Sequence, residues 1–220
     1  MASVLSVNLG AAVHLPGVGM TGIDKRPVTG PVEVRAPGPS GIGGSGLVGD
    51  KIIDLRHHGG ADQAVYAYAR EDLDAWEAEL GRPLASGAFG ENLTTTGLTI
   101  TEAVIGERWQ VGPELVLEVS TARVPCRTFA TWLEVRGWVK TYVAKAVPGA
   151  YLRVITPGFV QAGDPVEVVH WPDHDVTVNV AFRALTREPD LLPRLLVAEA
   201  LPEEARQLAA RRTTIELDKA

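Results

Sequence analysis

The segment Arg123-Val-Pro-Cys-Arg127 sets the chain's single cysteine between two arginines, just after the apolar run Leu115-Val-Leu-Glu-Val-Ser120. Nearby positive charge lowers a thiol pKa and favours thiolate, the form that ligates metals and attacks electrophiles. Arg123 and Arg127 could also hold phosphate or pterin oxygens by forked hydrogen bonds, and Pro125 pre-organises the turn. An inert cysteine buried at a strand end accounts for the same residues. Two glycine-bearing segments add polar groups. In Asp54-Leu-Arg-His-His-Gly-Gly-Ala-Asp-Gln-Ala-Val-Tyr66, neighbouring side chains on an extended chain point to opposite faces, so His57 and His58 do not pair on one metal. Either is a reasonable proton donor at neutral pH. Gly59 and Gly60 allow positive φ and a close approach of ligand to backbone. In Gly87-Ala-Phe-Gly-Glu-Asn-Leu93, Glu91 and Asn92 sit between apolar residues; Glu91 is an alternative proton donor. A buried asparagine needs partners, and these are ligand atoms or neighbouring backbone. Taken singly, each segment also reads as an ordinary tight turn.

Composition narrows the chemistry. The 220 residues are 45% hydrophobic and 22% charged, enough to bury a core and too apolar for global disorder. With 21 Lys and Arg against 27 Asp and Glu, the net charge of −6 argues against a broad grip on nucleic acid or anionic lipid. One cysteine excludes an intramolecular disulfide framework and any cysteine-only zinc or iron–sulfur site. The first ten residues lack the pattern of a secretory signal, and no run of about 18 apolar residues appears. A soluble, cytoplasmic protein with a reduced thiol is expected.

The elements that must position these residues are mostly strands. The 23 glycines and 15 prolines are too many for a helical bundle. Period-two patterning or apolar runs predict strands at 3–9, 31–35, 47–55, 98–105, 107–111, 114–121, 151–155 and 165–170, with a loose loop at 36–46. Leu73, Trp76 and Leu80 predict an amphipathic helix over 70–80, ended by Gly81 and Pro83; residues 128–146 carry a weaker helical pattern. The expected class is mainly β with inserted helices, a closed or nearly closed β-barrel over residues 1–172. Residues 173–220 read as a small three-helix unit, with helices near 177–187, 190–200 and 202–212. From residue 176 onward seven basic residues balance seven acidic ones, so a DNA-binding reading is disfavoured. A docking surface for a partner protein or a second protomer suits this unit better, and its removal near 172 should spare ligand binding but impair assembly.

The four segments, in order, resemble the MOSC domain, named for the C-terminal part of molybdenum-cofactor sulfurases, in its stand-alone bacterial YiiM-like branch. The resemblance rests on residues 54–66, Gly87–Leu93, Arg123-Val-Pro-Cys126 and Tyr151-Leu-Arg-Val-Ile-Thr-Pro-Gly-Phe-Val-Gln-Ala-Gly-Asp164. The tail is similar to the three-helix unit that follows MOSC in this branch. Ala122 stands where the family has proline, and Glu107 follows Gly106 where the family has aspartate. The resemblance implies a β-barrel and a molybdenum–pterin cofactor whose metal is ligated by Cys126. It places Asn92 near the pterin, Arg123 before the ligand cysteine, and His58, Gly59 and Gly60 at the pocket mouth. It implies a small-molecule N-hydroxylated substrate, such as a hydroxylamino base or an amidoxime, and electrons from a separate flavin or iron–sulfur protein. Some relatives instead handle sulfur, so a carrier of a Cys126 persulfide is the alternative.

Overall fold

The computed structural model of the chain describes residues 1–217, in which twelve strands and five α-helices are formed. The strands are β1 (Ser3–Gly10), β2 (Val13–Leu15), β3 (Gly19–Thr21), β4 (Lys25–Pro27), β5 (Val32–Val34), β6 (Val65–Ala69), β7 (Leu93–Thr96), β8 (Arg108–Val111), β9 (Leu115–Ala122), β10 (Ala150–Thr156), β11 (Gly158–Val160) and β12 (Val166–His170). The helices are α1 (Arg70–Leu80), α2 (Arg127–Leu133), α3 (Trp138–Lys145), α4 (Val178–Thr186) and α5 (Glu203–Arg211), with 3-10 turns at 61–63, 100–102 and 189–197.

One eight-stranded sheet runs β12-β8-β9-β10-β6-β7-β1-β4. Only β6 and β7 pair in parallel, and α1 lies in the crossover that such a pair requires. β2–β3 and β5–β11 form small two-stranded pieces at the side. The sheet is not closed by a strand ladder, which corrects the expectation of a barrel. A turn meets β1 instead: Val4 N–H donates to Asp164 O (2.9 Å), Gly163 N–H to Val4 O (2.8 Å), and Ser3 faces Pro165 in an isolated bridge. Gly163 takes φ +93° and Pro165 has no N–H, so no regular ladder can form across this gap.

Other expectations shift for local reasons. Residues 47–55 form no strand beyond a bridge between Leu47 and Val34, because Asp50 turns inward. The strand expected at 98–105 is a 3-10 turn, and pairing occurs earlier, at Leu93–Thr96, before Gly97 breaks the chain at φ +73°. The helical stretch 128–146 splits at Glu134 (φ +53°) and Gly137 (φ +72°) into α2 and α3. In the tail the middle helix is 3-10, with Pro193 inside it, where a missing N–H removes a helical bond. The far end of the predicted tail unit, 218–220, lies outside the described residues.

The core is continuous across sheet and helices. Phe89 is its hub, with ring centroids of Tyr68, Trp76, Phe129, Trp138 and Tyr142 all within 6.2 Å. The tail joins this same core. Val178, Ala181, Phe182 and Leu185 are buried on α4, Phe182 meets Tyr142 edge to face, and Val178 N–H bonds Ala103 O (2.9 Å). This packing argues against a dispensable tail. Phe182→Ala should lower stability by about 3–5 kcal/mol in urea unfolding. Truncation at 172 should abolish the cooperative thermal transition; a truncated chain that melts like the full one would show that α4 merely rests on the sheet.

Candidate functional site

A cleft of about 200 Å³ opens beside the ends of β9 and β6. That is room for an organic ligand rather than a few waters. Its floor holds Cys126, His58, Arg123, Asn92, Tyr66 and Tyr151. Lys25 and Lys51 add two ammonium groups, while Val18, Met20, Ile52 and Ile53 make one side apolar.

Cys126 follows β9 and precedes the first residue of α2, so strand and helix together fix its Cα. It is half-buried. Burial resists ionisation of the thiol, but the hydrogen bond from His58 and the charge of Arg123 outweigh it, and the pKa falls to about 7. Because the thiol pKa is ordinary in the unfolded chain, the thiolate stabilises the fold at high pH, and this contribution is lost as pH falls through about 7.

Arg123 is 6% exposed. Its Nη1 donates to Phe89 O, and its guanidinium lies over the rings of Phe129 (4.0 Å) and Tyr66 (5.0 Å). The turn that delivers Phe89 O is built by Glu91. Its carboxylate accepts Gly87 N–H (2.6 Å), Phe89 N–H (3.0 Å) and Thr94 Oγ1–H (2.9 Å). Burial raises the Glu91 pKa against these bonds. Gly87 is obligatory here: φ is +89°, and a Cβ would fall 2.2 Å from Lys25 O.

Asn92 reaches the cleft but commits its amide to protein. Oδ1 accepts Tyr66 N–H (3.1 Å), and Nδ2 donates to Asp50 Oδ2 (2.9 Å) and Asn8 O (3.3 Å). Asp50 also accepts Gly10 N–H (2.7 Å) and binds Lys25 Nζ through both oxygens at 2.5 Å. Burial lowers the Lys25 pKa, opposed by Asp50. Gln63 lines the cleft as well, and its buried Oε1 has no protein partner.

The structure thus gathers Cys126, His58, Gly59, Asn92 and Arg123 at one cleft. Four predicted residues stand back from it. His57 is exposed on the loop outside. Gly60 is buried beneath, where a Cβ would meet Ser40. Glu91 braces the turn behind Arg123. Arg127 turns away to donate to Gly17 O (3.0 Å), between β2 and β3. Sequence reasoning missed Lys25, Lys51, Gln63, Tyr66 and Tyr151. Two glycines carried indirect signals: the absent side chain of Gly22 lets Lys51 O approach, and that of Gly87 lets Lys25 O approach.

Among the described residues no three His, Cys, Asp or Glu side chains are placed to hold a metal ion together. A metal at Cys126 would have to bring most of its own ligands.

A family model for the MOSC domain matches residues 54–167. The chain belongs to the MOSC domain family. YflK of Bacillus subtilis is 36% identical over 184 residues, 82% of this chain and 79% of that one. A protein of Gibberella moniliformis named a reductase is 30% identical over 139 residues, 61% of this chain but 24% of its own length. The crystal structure of YiiM from Geobacillus stearothermophilus superposes with a TM-score of 0.77 at 26% identity, covering 96% of this chain and 99% of that one. The sheet-rich body with C-terminal helices is therefore a fold shared with that YiiM structure.

Thiol ionisation gives a direct check on the geometry. In metal-free protein, Cys126 should react with iodoacetamide with a midpoint near pH 7. His58→Ala should move that midpoint up toward the ordinary thiol value of about 8.5. An unshifted midpoint in the variant would remove His58 from the thiol's surroundings.

Proposed function

We propose that the cleft binds a molybdenum–pterin cofactor through Cys126, and that the protein reduces N-hydroxylated compounds such as hydroxylamino bases and amidoximes. Electrons come from a separate flavin or iron–sulfur protein, and the working compartment is the cytoplasm, where the thiol stays reduced. The observation that carries this reading is a thiol drawn down to about 7, on the wall of an open cleft, beside a buried guanidinium.

The donor set suits the group. A soft thiolate matches a high-valent molybdenum centre whose remaining ligands belong to the cofactor. Lys25, Lys51 and Arg123 would hold its phosphate, as ammonium and guanidinium groups do. Gln63, whose Oε1 lacks a protein partner, offers an acceptor for a ring N–H. The Gibberella relative named a reductase supports the reaction class, over the shared quarter of its length.

When bound, the cofactor supplies two-electron reduction at its metal. The chain does the rest. Cys126 fixes the metal's place. His58, hydrogen-bonded to the thiol, would be the residue to pass a proton to the hydroxyl that leaves as water. Val18, Met20 and Ile53 shield one side of the substrate from water.

Protein from a molybdate-fed host should carry molybdenum and pterin near one per chain and reduce benzamidoxime with reduced methyl viologen. Cys126→Ser should lose the metal and the turnover together. His58→Ala should keep the metal and lose turnover on the order of a hundredfold. A metal-free protein with a persulfide on Cys126 and no turnover would establish the sulfur-carrier reading instead.

A further inference from the structure

A second concave surface lies on α3, away from the cleft mouth. Arg136, Gly137, Lys140, Thr141, Ala144 and Lys145 line it, with Glu79 as the acid at its edge. Arg136 and Lys140 are exposed. Lys145 Nζ pairs with Glu79 Oε2 at 2.5 Å and lies 4.1 Å from the centre of the Trp76 ring. Three cations against one carboxylate make this a basic hollow on a chain whose net charge is −6. Such a reversal of sign on one face favours an acidic partner and steers its approach.

What lies beneath gives the hollow a purpose. Trp76 and Trp138 form its underlayer, with ring centroids 4.7 Å apart. Trp138 meets Phe129 at 5.4 Å, and Phe129 lies against the Arg123 guanidinium at 4.0 Å. Arg123 in turn acts on the Cys126 thiol. Ring and guanidinium contacts therefore run from beneath the basic hollow to Arg123, whose charge bears on the sulfur. The seven residues of α2 between Cys126 and the α2–α3 turn rise only about 10 Å.

We propose that this hollow on α3 is the docking surface for an acidic one-electron carrier protein, which delivers electrons toward Cys126 across the Trp76–Trp138–Phe129–Arg123 contacts. The inference rests on the reductase reading above. The balance is simple. Two carriers each lose one electron; the R–NHOH substrate gains both with two protons, its N–O bond breaks, and R–NH2 and water leave. Arg136 and Lys140 take no part in that chemistry. Their role is to hold the carrier long enough for transfer.

The test uses cofactor-loaded full-length protein and a plant-type [2Fe–2S] ferredoxin as the acidic carrier. In the double variant Arg136→Glu/Lys140→Glu, the KM for ferredoxin should rise about tenfold or more at low salt, and the difference from the unaltered protein should shrink near 0.5 M salt. Turnover driven by reduced methyl viologen and the molybdenum content should stay unchanged, which separates a docking defect from a folding defect. Lys140→Arg, which keeps the charge, should behave like the unaltered protein. An unchanged ferredoxin KM in the double variant overturns the proposal while leaving the reductase reading intact. If viologen drives no turnover in the unaltered protein, the reductase reading fails. The surface is then judged by ferredoxin binding to the chain in calorimetry: loss of binding in the double variant upholds it, and equal or absent binding overturns it.

Discussion

The structure turns on a buried cation. Arg123 sits at the junction of β9, the Gly87–Asn92 turn and α2, over the rings of Tyr66 and Phe129 and bonded to the Phe89 carbonyl. Taking a guanidinium out of water costs several kcal/mol unless hydrogen bonds and opposite charge compensate. The Phe89 carbonyl and the faces of Tyr66 and Phe129 supply part of that. The rest is a standing demand for negative charge at the cleft, which the Cys126 thiolate begins to meet. Glu91 serves the carbonyl rather than the charge. Its two oxygens do no work at the cleft; they lock the turn so that Phe89 O points at Arg123 while the Phe89 ring enters the aromatic core.

A second buried charge ties the outer wall to the first. Asp50 gathers Lys25, the Gly10 amide and Asn92 around one carboxylate. β4, the chain end of β1 and the start of β7 are thereby held in register with one another by polar bonds where apolar packing is thin. Breaking one member would strand the others in a low-dielectric site, so the network is cooperative. It also keeps Lys25 at the cleft wall, positive but partly neutralised. The cleft thus combines one committed cation, Arg123, one shared cation, Lys25, and the exposed Lys51.

What the sequence could reveal follows from how each signal is encoded. Helix α1 was legible to the residue, since Leu73 and Trp76 point one way, charge points the other, and Gly81 closes the end in a left-handed conformation. Strands β1, β8, β9, β10 and β12 were legible within a residue or two. β6 was not: all five of its residues are buried, so Val65-Tyr-Ala-Tyr-Ala69 shows no alternation. β7 was hidden in three threonines that sequence alone makes polar and exposed, whereas Thr94 and Thr95 are buried in the sheet. At the site, Cys126, Arg123, His58, Gly59 and Asn92 were legible because rare residue types cluster there. Lys25 and Lys51 were not, because a glycine that admits a distant backbone carbonyl does not say in the sequence which residue will supply it. Arg127 misled for the opposite reason. Adjacency in sequence placed it at the thiol, but the first turn of α2 rotates its side chain toward Gly17.

The apolar side of the cleft constrains how a ligand can enter. Met20 and Ile53 are both exposed at the mouth, and Val18 stands beside them on the β2–β3 hairpin. Lys25, Lys51, Arg123 and the thiol line the same cleft. A molecule that is polar all round would leave these apolar groups wet; one that is apolar all round would strand Lys25 and Arg123. An amphiphilic occupant satisfies both kinds of lining group. The hairpin pairs only with itself, yet Arg127 ties its tip to the first turn of α2, the helix that follows Cys126. Arg127 therefore also serves the architecture. It anchors the apolar wall to the element that carries the thiol, so the two sides of the cleft keep their spacing.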